Sequence, residues 1–352
     1  MAQFIQLHLL VSYPPSNVNR DDLGRPKSAV VGGAPRLRIS SQSLKRAWRT
    51  SRVFTESLQG ELGIRTKEIG HYVTKLGADI GVNEAEIKKI AKELVALFGG
   101  EKKESKKDKD ELKAEQLVFL GAGEMATIKH LLFEAASGKM PSPEAIQGVL
   151  KKSPGGVDVA MFGRMLASAP AYNVEASIQV AHAFSVNKVT IEDDYFTAVD
   201  DLKAEFEREG AAHIGVSEYG AGVFYEYVCI DCDRLKANLG GDIELVSRGL
   251  RGLVEAVCTV SPSGKQNSFA HGSYVSYALA ERGASQPRSL ASSFVKPVQS
   301  QDILVDAIER LRDTRKGFDF VFGAGDTTSS EFSVPEKRGT LRDVIDFVST
   351  IE

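Results

Sequence analysis

The run Arg36-Leu37-Arg38-Ile39-Ser40-Ser41-Gln42-Ser43-Leu44-Lys45-Arg46-Ala47-Trp48-Arg49-Thr50-Ser51-Arg52 combines residue types that hold phosphate. A hydroxyl at Ser40 or Ser41 can cap a helix by accepting from a backbone N–H that the first turn leaves unpaired. The remaining N–H groups and the positive end of the helix dipole then favour an anion. At roughly 100° per residue, Lys45, Arg49 and Arg52 fall along one edge with Arg46 beside them, and Leu44, Ala47 and Trp48 share the other side. The spacing predicts a helix that buries one face and keeps a row of cations at the surface.

Charge distribution strengthens that reading. Residues 1–52 carry nine Lys or Arg against two acids, a net +7, and the other 300 carry 35 bases and 45 acids, a net −10. The whole-chain charge of −3 hides this asymmetry. A basic segment in an acidic chain implies a polyanionic partner, because each neutralised phosphate releases a counterion. Other chemistries have thinner support. Cys229 and Cys232 form a lone C-x-x-C, with no second pair to complete a zinc site. Ser261-Pro262-Ser263-Gly264-Lys265-Gln266 lacks the first glycine and the final hydroxyl of a phosphate-binding P-loop. The six histidines (His8, His71, His130, His182, His213 and His271) show no ligand spacing. Asp193, Asp194, Asp200 and Asp201 could hold Mg²⁺ or orient an attacking 2′-hydroxyl; solvation at a hairpin tip is the competing explanation. No cofactor is expected.

The elements that must position the basic run follow from periodicity. With 42% hydrophobic and 26% charged residues among 352, the chain reads as globular. No apolar run approaches a membrane span, no leader precedes the first strand, and three cysteines without framework spacing point to the cytoplasm. Residues 3–11 read as a buried strand ended by Pro14-Pro15. A loop from 17 to 35 follows, carrying Arg20 and Lys27, with Gly32-Gly33 allowing a close backbone approach. Helices are expected at 84–98 behind an Asn83/Glu86 cap, at 124–137, and from Ser142-Pro143. A mixed-sign run at 101–115 reads as a solvated excursion. Residues 157–165 read as extended, 174–186 and 223–230 as strands, 242–258 as a helix and 273–280 as a strand. Helices near 301–313 and 340–350 close the chain. The order strand, helix, strand, strand, helix, strand is that of a ferredoxin-like or RRM-like α+β unit, with a large helical insertion after its first helix.

Several motifs, in order along the chain, carry a resemblance: Pro14-Pro15-Ser16, Asn19-Arg20-Asp21-Asp22, Arg38-Ile39-Ser40-Ser41-Gln42-Ser43-Leu44-Lys45-Arg46, Gly163-Arg164-Met165, Phe196-Thr197-Ala198-Val199-Asp200-Asp201-Leu202 and Gly222-Val223-Phe224-Tyr225. Together they resemble the CasC-type backbone subunit of the type I-E CRISPR surveillance complex, Cascade. The resemblance implies a palm (1–57, 171–186 and 223–352), a helical fingers insertion (58–170) and a β-hairpin thumb (187–222). It implies that copies of the chain line up on CRISPR guide RNA, whose bases pair with target DNA beside large, small and guide-end-binding subunits. The role implied is non-catalytic and rests on Arg20, Lys27, Arg38, Ser40, Gln42, Lys45, Arg46 and Arg49 for the backbone, with Met165, Phe196 and Thr197 wedged at displaced bases. Alternatives are a metal-dependent target-RNA nuclease using the aspartates, or a ferredoxin-like endonuclease that processes CRISPR RNA. Lys265 and Gln266 resemble a loop of the same family.

Overall fold

A computed structural model describes residues 3–99, 111–198 and 213–351. The elements begin with β1 (Phe4–Ser16), β2 (Ser28–Val31), β3 (Ala34–Ile39), α1 (Ser41–Arg49) and α2 (Arg52–Ser57). They continue with β4 (Ile64–Thr66), α3 (Ile69–Ile80), α4 (Glu84–Gly99), β5 (Val118–Leu120), α5 (Ala122–Ala136), α6 (Pro143–Gln147) and α7 (Val157–Phe162). Next come β6 (Ile178–Val180), β7 (Ala183–Ser185), β8 (Glu192–Ala198), β9 (His213–Asp231), α8 (Cys232–Asn238) and α9 (Ile243–Thr259). The last are α10 (Gln266–Phe269), β10 (Val275–Gly283), α11 (Ile303–Phe322), β11 (Thr328–Ser333) and α12 (Leu341–Ser349). The chain is mixed α+β and divides into two units, Met1–Phe54 with Val180–Ile230 and Leu250–Glu352, and Thr55–Gln179 with Asp231–Gly249.

The first unit is organised by a large sheet in the order β11-β10-β1-β9-β7-β3-β2, with β8 also paired to β9. The β1/β10, β10/β11, β2/β3, β3/β7, β7/β9 and β8/β9 pairs are antiparallel. From Ile5 to Val11 every residue of β1 is buried, the pattern of a strand covered on both faces. On one face Leu10, Tyr225, Tyr277 and Leu279 pack with Ala307, Ile308 and Leu311 of α11. A polar network crosses this face. His8 lies 2.9 Å from the Tyr225 hydroxyl and 3.1 Å from Glu281, to which Arg288 and Arg315 also donate at 3.1 and 2.8 Å. Burial lowers the His8 pKa. Burial alone would raise that of Glu281, but His8, Arg288 and Arg315 together hold it down to about 2.

The second unit is mostly helical. Ile69 and Val73 of α3, Ile87, Ile90, Ala91, Leu94 and Phe98 of α4, and Ile128, Leu131 and Leu132 of α5 form one apolar core, and β4 and β5 pair beside it. No described helix is long and apolar enough to cross a membrane.

Four local readings change. The loop expected over 17–35 contains the start of the β2/β3 hairpin, turned by Gly32 and Gly33 at φ of 60° and 75°, the left-handed pair that a two-residue hairpin favours. A Cβ on Gly32 would overlap the Val295 carbonyl, so the close approach expected there is to the chain's own backbone. Pro14 and Pro15 do not end β1; they lie beyond Val11, where the register with β10 stops, so their missing N–H groups cost that pairing nothing. Residues 157–162 are helical, since a short apolar run has no period that separates strand from helix, and Gly156 and Gly163 at φ of 95° and 77° bracket it. The strand expected over 174–186 is reduced to β6 and β7, which leaves Ala181 and His182 between them.

Glu226 of β9 is 2% exposed, and among the described residues its Oε1 has no partner. Burial pushes its carboxyl up to about 8. A carboxyl neutral in the fold and ionised in the unfolded chain stabilises at low pH, and that stability is lost as pH rises through the folded value. Thermal melts should therefore show stability falling between the ordinary carboxylate range and pH 8–9, and Glu226→Gln should raise the midpoint at pH 9 while changing it little at pH 5.

Candidate nucleic-acid interface

The start of α1 is fixed by side chains that precede it. Ser40 is the N-cap, in extended backbone with φ −72° and ψ 145°, and its hydroxyl accepts from the Ser43 N–H at 3.3 Å. Its own N–H donates to Asn19 Oδ1 at 2.9 Å. The Asn19 carbonyl accepts from the Lys27 N–H and the Lys27 carbonyl from the Arg38 N–H, each at 2.8 Å. Loop, strand and helix are thus tied at one point. Leu44 and Trp48 are buried, whereas Gln42 and Arg46 are exposed and Lys45 and Arg49 half-buried.

Three cations converge on one histidine. Arg38 Nη1 lies 2.8 Å from His182 Nδ1. Because a guanidinium only donates, Nδ1 is the acceptor and the imidazole is neutral. Burial lowers the His182 pKa first, and the positive charges of Arg38, Lys27 and Lys45 lower it further. Among the described residues, no carboxylate lies within ion-pairing distance of Arg20, Lys27, Arg38, Lys45 or Arg46. Asp21, the acid nearest in sequence, uses Oδ1 to accept the Leu23 and Arg25 N–H groups at 2.9 Å. Among the described residues these five cations are therefore without a carboxylate partner.

Not all nine bases of the first 52 residues belong to it. Arg36 is 1% exposed and donates to the carbonyls of Ser185 at 2.7 Å and Phe294 at 2.9 Å. It holds β3 in the sheet. Arg25 pairs with Glu218 at 3.0 Å. His182 and Asn19, which organise the surface, carry no spacing signal of their own.

The remaining candidates lie elsewhere. Met165, in the second unit, is 79% exposed, although its neighbours Arg164 and Leu166 are buried. Arg164 exchanges backbone hydrogen bonds with Val174 at 2.9 Å, and its buried guanidinium donates to both oxygens of Glu124 at 2.8 and 2.7 Å. Glu124 also accepts the N–H groups of Gly121 and Lys151 at 3.0 Å. Every lone pair and proton of this pair is used, and the result is a bare methionine on a pinned segment. In β8, Phe196 faces Gly215 across the pair, where a Cβ would overlap its ring; the ring is 44% exposed, and Thr197 is exposed opposite Ile214.

Asp193 and Asp194 are adjacent on a strand and so point to opposite faces. Asp200 and Asp201 lie outside the described residues, as do Lys203 to Glu209 and residues 101–110 of the charged run. Among the described residues no group of three or more His, Cys, Asp or Glu could hold a metal ion. Cys229, Cys232 and Cys258 are each buried, and none is in a disulfide.

The structure is that of an α+β sheet protein with basic side chains on a serine-capped helix, among which Lys45 and Arg46 have no carboxylate partner among the described residues. The chain belongs to the CT1975-like protein family, whose model matches residues 5–346. It is similar to a solved chain described as a CRISPR RNA-guided surveillance complex, pre-nicking, with 29% identity and a TM-score of 0.87 over 98% of this chain and 99% of that one. A second, described as a CRISPR RNA-guided surveillance complex, shares the fold at 24% identity and a TM-score of 0.62, over 98% of each chain. No curated protein sequence matches.

Removing one member of a buried ion pair strands the other charge and typically costs about 3–5 kcal/mol. Chemical denaturation of Arg164→Ala should show a loss of that order, with its effect confined to the helical unit, whereas Met165→Ala should be close to neutral.

Proposed function

We infer that this chain is a guide-RNA-binding backbone subunit of a type I-E CRISPR surveillance complex, Cascade. The observation that carries the reading is Arg38 held 2.8 Å from a neutral His182, whose pKa the charges of Lys27 and Lys45 also lower, with no carboxylate within ion-pairing distance of these three cations among the described residues. Like charges brought together this way repel one another until an anion fills the space, and a strand of phosphates supplies anions at regular intervals. Ser40 and Gln42 add neutral donors at the start of α1, and Arg20, Arg46 and Arg49 extend the grip; such contacts position a strand without reading its sequence.

In this reading the sheet unit is the palm. The spatial order β10-β1-β9-β7 is the 4-1-3-2 order of a ferredoxin-like unit taken over β1, α1, β7, β9, α9 and β10, which supports the RRM-like description. The helical segment at 58–170 serves as the fingers and 187–222 as the thumb. Met165, Phe196 and Thr197, each exposed, suit contact with displaced bases, which stack on aromatic and flexible apolar side chains. Further copies of the chain share the guide, other Cascade subunits complete the assembly, and target DNA is recognised by pairing with the guide. The chain itself contributes no bond-breaking step.

Filter binding of a uniform single-stranded RNA across a salt series tests this. Each phosphate contact on a single strand contributes about 0.7 to the slope of log affinity against log salt. Replacing Lys27, Arg38 and Lys45 together by alanine should lower the slope by about 2, on the basis of one phosphate per cation. An unchanged slope would place the phosphates elsewhere.

A further inference from the structure

α11 ends on a run of apolar side chains that the sheet unit leaves uncovered. Phe320 is 91% exposed, and Val321 and Phe322 beside it are exposed as well. Apolar residues scattered singly over a surface are ordinary, whereas a contiguous group marks a place where another molecule binds. The turn that carries them is held firmly. Phe322 stacks on Phe318 with ring centroids 5.9 Å apart and 24° between the planes, and the Arg288 guanidinium lies 5.9 Å from the Phe318 centroid. Arg288 is fixed in turn by Glu281 at 3.1 Å and Asp319 at 2.9 Å.

Beside this turn, and wholly within the sheet unit, lies a cavity of about 340 Å³ bordered by Gln6, Ser285, Arg288, Phe318, Phe322 and Thr327. Polar groups of both kinds meet it without partners. Gln6 is 6% exposed, and its Oε1 accepts from the Tyr227 hydroxyl at 2.8 Å and the Arg288 N–H at 2.7 Å. Among the described residues its Nε2 donates to nothing, and a buried donor left in that state costs stability until an acceptor meets it. At the helix end the need is the reverse. The carbonyls of Asp319, Phe320, Val321 and Phe322 are those that the last turn of a helix leaves without a partner, and among the described residues no N–H caps them.

We propose that the end of α11 and the cavity beside it dock a partner protein through a short extended segment that carries an arginine next to bulky apolar side chains. The apolar side chains cover Phe320 and Val321. The guanidinium lies on the ring of Phe322 and donates to the uncapped carbonyls, where the negative end of the helix dipole favours a cation. A backbone carbonyl of the same segment supplies the acceptor that Gln6 Nε2 lacks. Arg288 does not oppose this cation, because Glu281 and Asp319 offset its charge, and Asp319 is drawn further inward by Arg315 at 3.7 Å. A nucleic-acid strand fits poorly, since it would bring anions to the end of a helix that repels them.

The proposal does not depend on the RNA-binding reading and is tested on the full chain without RNA. Calorimetry follows the binding of an acetylated, amidated peptide Gly-Ser-Leu-Arg-Leu-Ser-Gly and of the same peptide with citrulline, which lacks the charge, in place of arginine. The expected result is a dissociation constant of about 1 mM or tighter for the first peptide, weakened about tenfold by citrulline. Phe322→Ser, at an exposed position that the fold does not need, should remove the advantage of arginine over citrulline. Gln6→Leu should weaken both peptides alike. Absence of binding at that level, equal binding of the two peptides, or full binding by Phe322→Ser would each overturn the proposal. Two further results would give the surface to another occupant and overturn it as well: sedimentation of a dimer that Phe320→Ser dissolves and the peptide does not displace, or displacement of the peptide by single-stranded RNA.

Discussion

Positive charges near one another without a carboxylate partner are unfavourable, and among the described residues Lys27, Arg38 and Lys45 have none, although all three act on the same imidazole of His182. The free energy for doing so comes from bonds that are not themselves part of the surface. Arg36 anchors β3 through two buried carbonyls, Asn19 ties the preceding loop to the N–H of the N-cap Ser40, and Trp48 and Leu44 seat the helix. Removing any of these would let the cations drift apart, which is the direction their mutual repulsion already favours. How well such a surface could hold an anion depends less on the number of basic residues than on the rigidity that stops them from separating.

Arg36 shows why a sequence count overstates such a surface. It stands two residues before Arg38 on the same strand, with the same side-chain chemistry and the same parity, yet it is fully buried while Arg38 is half-exposed. What distinguishes them is the partner: the Ser185 and Phe294 carbonyls, about 150 and 260 residues away in the chain, meet one guanidinium, and the imidazole of His182 between β6 and β7 meets the other. Local pattern carries no information about such distant acceptors. The serine cap of α1 was legible for the opposite reason, since donor and acceptor lie within one turn of each other. The helix Val157–Phe162 was misread as extended because its six residues are buried all but one, leaving no polar phase to set a period. His182 was invisible for a third reason, since it acquires its role only from the break between β6 and β7.

Each unit also encloses one saturated ionic cluster, Glu124 with Arg164 in the helical unit and Glu281 with His8, Arg288 and Arg315 in the sheet unit. Buried ion pairs seldom add net stability over apolar side chains of like size; their best-attested use is to reject alternative packings. In the helical unit that selectivity fixes the backbone at residue 164 and so determines that Met165 projects outward. In the sheet unit it joins β1, β10 and α11 at a point where apolar side chains alone would allow the helix to slide.

The cross-strand contact of Phe196 with Gly215 makes an absence informative. The aromatic ring keeps its place only because the facing residue offers nothing beyond a hydrogen, so the geometry of one position is written at another nineteen residues later. Substitutions at the two sites cannot drift independently: a lineage that enlarges the second must shrink or reorient the first, and the pair should be inherited as a single character.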